Sequence, residues 1–260
     1  MDVLDILDDD GTGSSFVIKQ HQNGLLDMPI NSQGNFGGGN GDENSWQMIY
    51  PNQDTATQSQ IDGVQSWLDG LANARNSNPD DIFTSYLDVE TSADWILLNE
   101  FAKNIDGFHL SIHMYRGSNG LAHFVPWDFD LSMGQPTVQG EQGNETPEGW
   151  VINHSNFYDE MLSASALQTR IPTRWSELRQ SAFADATVSA WLDSFATTLT
   201  AEAVSNNFAI WPIADVDFQQ IYNAYTLYDV SSHAEEVSRL RAWVSSRLAW
   251  MDANVGNYPN

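Results

Sequence analysis

Cysteine is absent from the 260 residues, and lysine nearly so, with Lys19 and Lys103 its two representatives. Without cysteine there is no disulfide, no thiolate-bound zinc and no cysteine nucleophile, and the redox compartment stays open. Basic residues number 10 against 35 acidic ones, a formal net charge of −25. So acidic a chain does not bind nucleic acid through a broad basic surface; it attracts divalent cations and basic proteins and repels polyphosphates unless metal ions screen them. No apolar run is long enough to span a bilayer, and Met1–Asp10 has neither the basic start nor the apolar stretch of a secretory signal. Neither a Gly-x-Ser-x-Gly elbow nor an HExxH pair occurs, which removes the signatures of serine hydrolases and zinc proteases.

What is there suits an α+β domain rich in helix. Hydrophobic residues make up 41% of the chain, with 12 Phe, 10 Trp and 8 Tyr, enough to bury a core. Residues 1–56 read as an irregular β-containing part, with short runs Phe16–Ile18 and Trp46–Tyr50 around the Gly- and Asn-rich stretch Asn31–Gly41. That stretch is a loop; as a phosphate cradle it lacks both the GxGxxG order and a following Lys-Ser/Thr pair. Residues 57–260 read as mostly helical. Ile61, Val64, Trp67, Leu68 and Leu71 recur at helical spacing. After the Asn78–Asp81 break, Thr91 or Ser92 caps a second helix carrying Trp95, Leu98 and Phe101, which ends near Gly107. A hairpin follows, Leu110–Arg116 and Leu121–Val125 around Gly117–Gly120. Residues 132–150 form a long loop, and helices fill Ser155 to Met251.

Chemistry concentrates at two element ends. Asn104 and Asp106 fall where a helix exits, and Asp128 and Asp130 lie two apart after a strand, where they would share a face. If the hairpin folds back on the helix end, Asp106 meets Asp128, and carboxylates that close need a cation or a proton between them. Oxygen donors of this kind suit Mg²⁺, Mn²⁺ or Ca²⁺. The plainer reading has Asp106 capping a turn and the other two acids solvated. A further alternative joins His109, His113 and Asp128 in a transition-metal site. Lys19 is either a solvated strand lysine or a phosphate contact.

The order Leu97-Leu98-Asn99-Glu100, Lys103-Asn104-Ile105-Asp106-Gly107-Phe108, a hairpin with Met114-Tyr115-Arg116, then Pro126-Trp127-Asp128-Phe129-Asp130 resembles the CotH (spore coat protein H) kinase family. The likeness continues through Glu148-Gly149-Trp150, Arg174–Arg179 and Arg247–Asp252, about residues 80 to 252. The resemblance implies an atypical protein-kinase-like fold with a small sheet next to the site and its amino-terminal lobe largely absent, 1–56 being a remnant. It implies phosphate transfer from ATP, with Mg²⁺ or Mn²⁺/Ca²⁺, to Ser or Thr of a protein partner, basic and Ser-rich. Asp128 would hold the metal with Asp130 and Asn104, Asp106 would act as base or second metal contact, and Asn104 and Lys103 would face the cofactor. A spore-coat, cell-surface or extracellular location is implied if the natural start lies upstream. The other reading open here is a non-catalytic acidic binding or structural protein on the same fold.

Overall fold

The computed structural model describes residues 11–20, 26–27, 45–108, 112–118, 120–134, 146–152, 156–211 and 232–259, with backbone alone at 26, 27, 45, 156 and 157. The strands are β1 (Phe16–Gln20), β2 (Leu26–Asp27), β3 (Ser45–Tyr50), β4 (His113–Arg116) and β5 (Ala122–Val125). They form one antiparallel sheet in the order β2-β3-β1-β4-β5, so the early runs and the later hairpin share a single ladder. The described helices are α1 (Gln58–Ser77), α2 (Asp80–Ser85), α3 (Val89–Ala102), α4 (Asn156–Ser163), α5 (Ser165–Arg179), α6 (Asp185–Thr198), α7 (Ala201–Ile210) and α8 (His233–Asn254). The α+β reading of the sequence is thus the architecture found. The Gly-rich stretch Asn31–Gly41, His109 and most of the 132–150 loop lie outside the described residues.

By contact density the chain divides into two compact units. The first holds Met1–Glu100, Asp106–Phe129 and Ile152–Pro172. Strand alternation sorts its sheet into faces. Paired positions Met48, Ile18, Met114 and Phe124 form a buried row, while Gln47, Lys19, His113 and Val125 form a row on the opposite face. α1 covers the buried side, the Trp67 ring meeting that of Phe16 edge-on at 4.9 Å. Its start is a capping box: Thr57 accepts from the Gln60 N–H, and Gln60 Oε1 accepts from the Thr57 N–H at 2.8 Å. Gly63 is required on this helix, since a Cβ there would stand 1.9 Å from the Thr12 carbonyl oxygen. On α3, Trp95 stacks on Phe124 at 4.3 Å and meets Phe108 edge-on at 5.0 Å, which fixes the helix against the hairpin.

α3 starts earlier than its sequence suggests. The Asp88 carboxylate accepts from the Thr91 N–H at 2.8 Å, so Asp88 is the cap and Thr91 and Ser92 fall inside the first turn. Ser92 Oγ instead donates to the Asp88 carbonyl at 2.6 Å. An ionised carboxylate is the stronger acceptor at a helix N-terminus, where the dipole favours negative charge.

The second unit comprises Phe101–Ile105, Asp130–Val151 and Thr173–Asn260. Trp175 Nε1 and Arg179 Nε donate to one carboxylate, Asp252, at 2.8 and 2.9 Å. Arg179 also reaches Asp185 at 2.8 Å; burial pulls its pKa down, but the hydrogen bonds to the two acids outweigh this and hold it above its ordinary value. Phe183 packs on Phe101 at 4.6 Å and on Trp175 at 5.5 Å.

Candidate functional site

α3 ends at Ala102, short of the Gly107 end read from the sequence, and the 3₁₀ turn that follows, Ile105–Phe108, carries Asp106, half-buried, ahead of β4 in the first unit. β4 and β5 pair with His113 opposite Val125, so the chain before β4 and the chain after β5 lie at the same open end of the hairpin. Asp106 leads into that end and Asp128 leaves it. The rings of His113 and Trp127 are 4.7 Å apart there. Asp128 is exposed and has a left-handed backbone, φ 57°. Aspartate tolerates that region better than most residues, and side chains held there at about 1–3 kcal/mol cost concentrate at functional sites.

Beside Asp128 the open face of the sheet bounds a cavity of about 700 Å³. Its lining includes Lys19 from β1, Gln47 from β3, His113 and Tyr115 from β4, Val125 from β5, and Trp127. Strand alternation is what gathers them: Lys19 is the register partner of both Gln47 and His113. The cavity therefore offers aromatic walls together with one ammonium, Lys19, and one carboxylate, Asp54, features suited to a planar ring carrying polar groups.

The remaining predicted residues belong to the second unit, where Lys103 is buried and left-handed, φ 49°, just past the helix, a conformation that ends helices. Its Nζ donates to the Thr146 carbonyl at 3.0 Å and to that of Glu148. Arg247, also fully buried, donates to the alternate carbonyls, Pro147 and Gly149, each at 2.7 Å. Its guanidinium lies 5.4 Å from the Trp150 ring and 4.8 Å from that of Trp250. Two cations thus grip one irregular segment, bent at 146, 147 and 149, through four successive carbonyls. Asn104 is buried, and Asp130 is exposed. Sequence reasoning did not anticipate the grip, although Arg247 and Trp250 stand three apart on α8, the spacing at which helical side chains meet. Nor did it weigh Lys19 together with Val17 as one strand face.

Among the described residues no three His, Asp or Glu side chains lie close enough together to hold a metal ion. A closed protein cage for Ca²⁺ is thus not found there. Mg²⁺ asks for less, one or two carboxylates with phosphate and water completing six oxygens, and Asp106 and Asp128 have the chemistry for that.

A family model described as CotH kinase protein matches residues 17–251. The chain belongs to the CotH family. Inner spore coat protein H of Bacillus subtilis (strain 168) is 31% identical over 84 residues. The match spans 28% of this chain and 23% of that protein. Several fragments typical of CotH resemblance are structural in the second unit: Glu148–Trp150 is what Lys103 and Arg247 hold, and Arg174–Arg179 meets Arg247–Asp252 through Asp252. The chemical candidates are confined to fewer positions.

Proposed function

We propose that this CotH-family chain is a metal-dependent phosphotransferase, moving the terminal phosphoryl group of ATP to a serine or threonine hydroxyl of a protein. The observation that carries the reading is the 700 Å³ cavity on the open sheet face, with Lys19 on one strand and Trp127 directly before Asp128. Trp127 and His113 supply a stacking wall for the base, and the Lys19 ammonium a counter-charge for phosphate. Asp128 is the metal ligand. A divalent ion held by Asp128 would supply charge neutralisation to the transferring phosphate. Asp106 orients the acceptor hydroxyl and takes its proton, or contributes a second metal contact. Lys103, proposed from sequence to face the cofactor, instead steadies the 146–150 segment. The acceptor is a basic, Ser-rich protein, attracted by the net charge of −25. A spore coat is the setting proposed for this role, and the name of the Bacillus relative supports it.

The test is thermal. Mg²⁺ with ATP at about 100 times its Kd should stabilise the chain by about 2.7 kcal/mol, a rise of about 5–10 °C in Tm. Asp128→Asn removes the charge yet keeps a side chain that accepts a left-handed backbone, so it should abolish the rise and leave the nucleotide-free Tm almost unchanged. If the unaltered chain shows no nucleotide-dependent rise, the non-catalytic binding role is the better reading. That second role has an observation in its favour, the exposed apolar side chains between Trp191 and Trp211.

A further inference from the structure

Large apolar side chains that stay exposed among the described residues fall in two places. Ile49 and Trp127 line the sheet cavity. The other five, Trp191, Phe195, Leu199, Ile210 and Trp211, come from one stretch of the second unit. Three of them are spaced four apart. Trp191, Phe195 and Leu199 are 48%, 70% and 53% exposed and make a stripe along α6 and its C-terminal cap. Isolated exposed hydrophobics need no explanation, but a contiguous stripe of this size marks a surface that something covers.

The inner side of α6 is already used. Val188 and Leu192 face α8, where with Val244 and Leu248 they line a groove of about 290 Å³. Trp191 and Phe195 lie three residues beyond Val188 and Leu192, which at 100° per residue sets them about 60° round the helix. The stripe therefore lies next to the face of α6 that lines the groove. Asp193 and Arg241 tie the two helices across it at 2.6 Å.

Charge selects the occupant. Between Arg179 and Arg239 the sequence contains no Lys or Arg, while Asp185, Asp193, Glu202, Asp215, Asp217, Asp229, Glu235 and Glu236 lie there. Arg179 and Arg241, the cations near α6, are each held by acids, Asp185 with Asp252 and Asp193. An anionic lipid surface would be repelled by this balance, and so would a second copy of a chain carrying −25. We infer that the α6 stripe and the α6–α8 groove dock an amphipathic protein helix with lysine or arginine flanking its apolar face. Helix-in-groove recognition uses apolar anchors at spacings of three and four, the spacing of this stripe. The inference needs neither nucleotide nor metal.

A fluorescein-labelled amphipathic peptide of leucine and lysine, titrated with the full chain at about 0.15 M salt, tests it. The double variant Trp191→Ser/Phe195→Ser keeps every charge and alters exposed positions alone. It should bind about tenfold or more weakly, with an unchanged circular dichroism spectrum. Trp191→Lys should bind more weakly still, by adding repulsion to lost contact. Equal binding by the serine variant would overturn the proposal, because attraction to the acidic chain would then suffice. So would equal binding of the peptide with glutamate for lysine. Sedimentation showing a dimer that the serine variant abolishes would assign the stripe to a second copy and also overturn it.

Discussion

Tyr158 shows what burial does to a single titratable group. It is fully buried, 5.6 Å from Phe108 and 6.3 Å from Trp95 by ring centroid, and desolvation pushes its phenol well above the ordinary value. Folded chain therefore keeps the proton at a pH where unfolded chain has released it. The sign follows: stability is full below the ordinary phenol value, about 10, and falls as pH rises beyond it. Tyr158→Phe should flatten the loss of Tm between about pH 9 and pH 11, and an equally steep decline in the variant would assign the alkaline loss to other groups. Asp128 is the opposite case, exposed but conformationally costly, and there a charge-removing Asn tests chemistry without disturbing the backbone. Replacement by Gly would relieve φ instead, giving a chain that is slightly more stable and still nucleotide-insensitive.

The 146–150 segment illustrates how elements are held without regular pairing. Its carbonyls have no strand or helix partner, and Lys103 takes those of 146 and 148 while Arg247 takes those of 147 and 149. Arg247→Met keeps the apolar stem but removes both donors and the contacts with two tryptophan rings, and should cost about 2–4 kcal/mol by chemical denaturation. Lys103→Met should cost a similar amount. Because both grip one segment, the double variant should lose less than the sum of the two. Strict additivity would mean that the segment keeps its place when either cation is gone. α3 carries the same lesson on a smaller scale, its start set by the Asp88 carboxylate in preference to nearby hydroxyls.

For the whole molecule the governing quantity is the charge of −25. Like charges so numerous destabilise the compact state through mutual repulsion, and salt relieves this by shortening the Debye length from about 30 Å at 0.01 M to about 10 Å at 0.1 M. Tm should therefore rise by several degrees over that range in a monovalent salt such as NaCl. A flat or falling Tm would show that the acids are already neutralised locally. The same charge attracts cations and basic polypeptides and repels unscreened polyphosphate. Among the described residues no helix is long and apolar enough to cross a membrane.

Periodicity and order were legible before any fold was seen. The stripe Val64, Trp67, Leu68 and Leu71, the alternation of Phe16 and Ile18 and the glycines between the hairpin strands are local patterns, and the helices and strands followed them. Family membership was legible too, because it rests on residues in sequence order. Proximity between distant residues was not. That Lys19 pairs across to His113, that Trp127 lines the same cavity as both, and that Arg247 meets Pro147 and Gly149 depend on pairings between segments about a hundred residues apart. A one-dimensional pattern cannot encode them: ladder register and side-chain burial are settled only when the sheet and the helices compete for the same apolar surface.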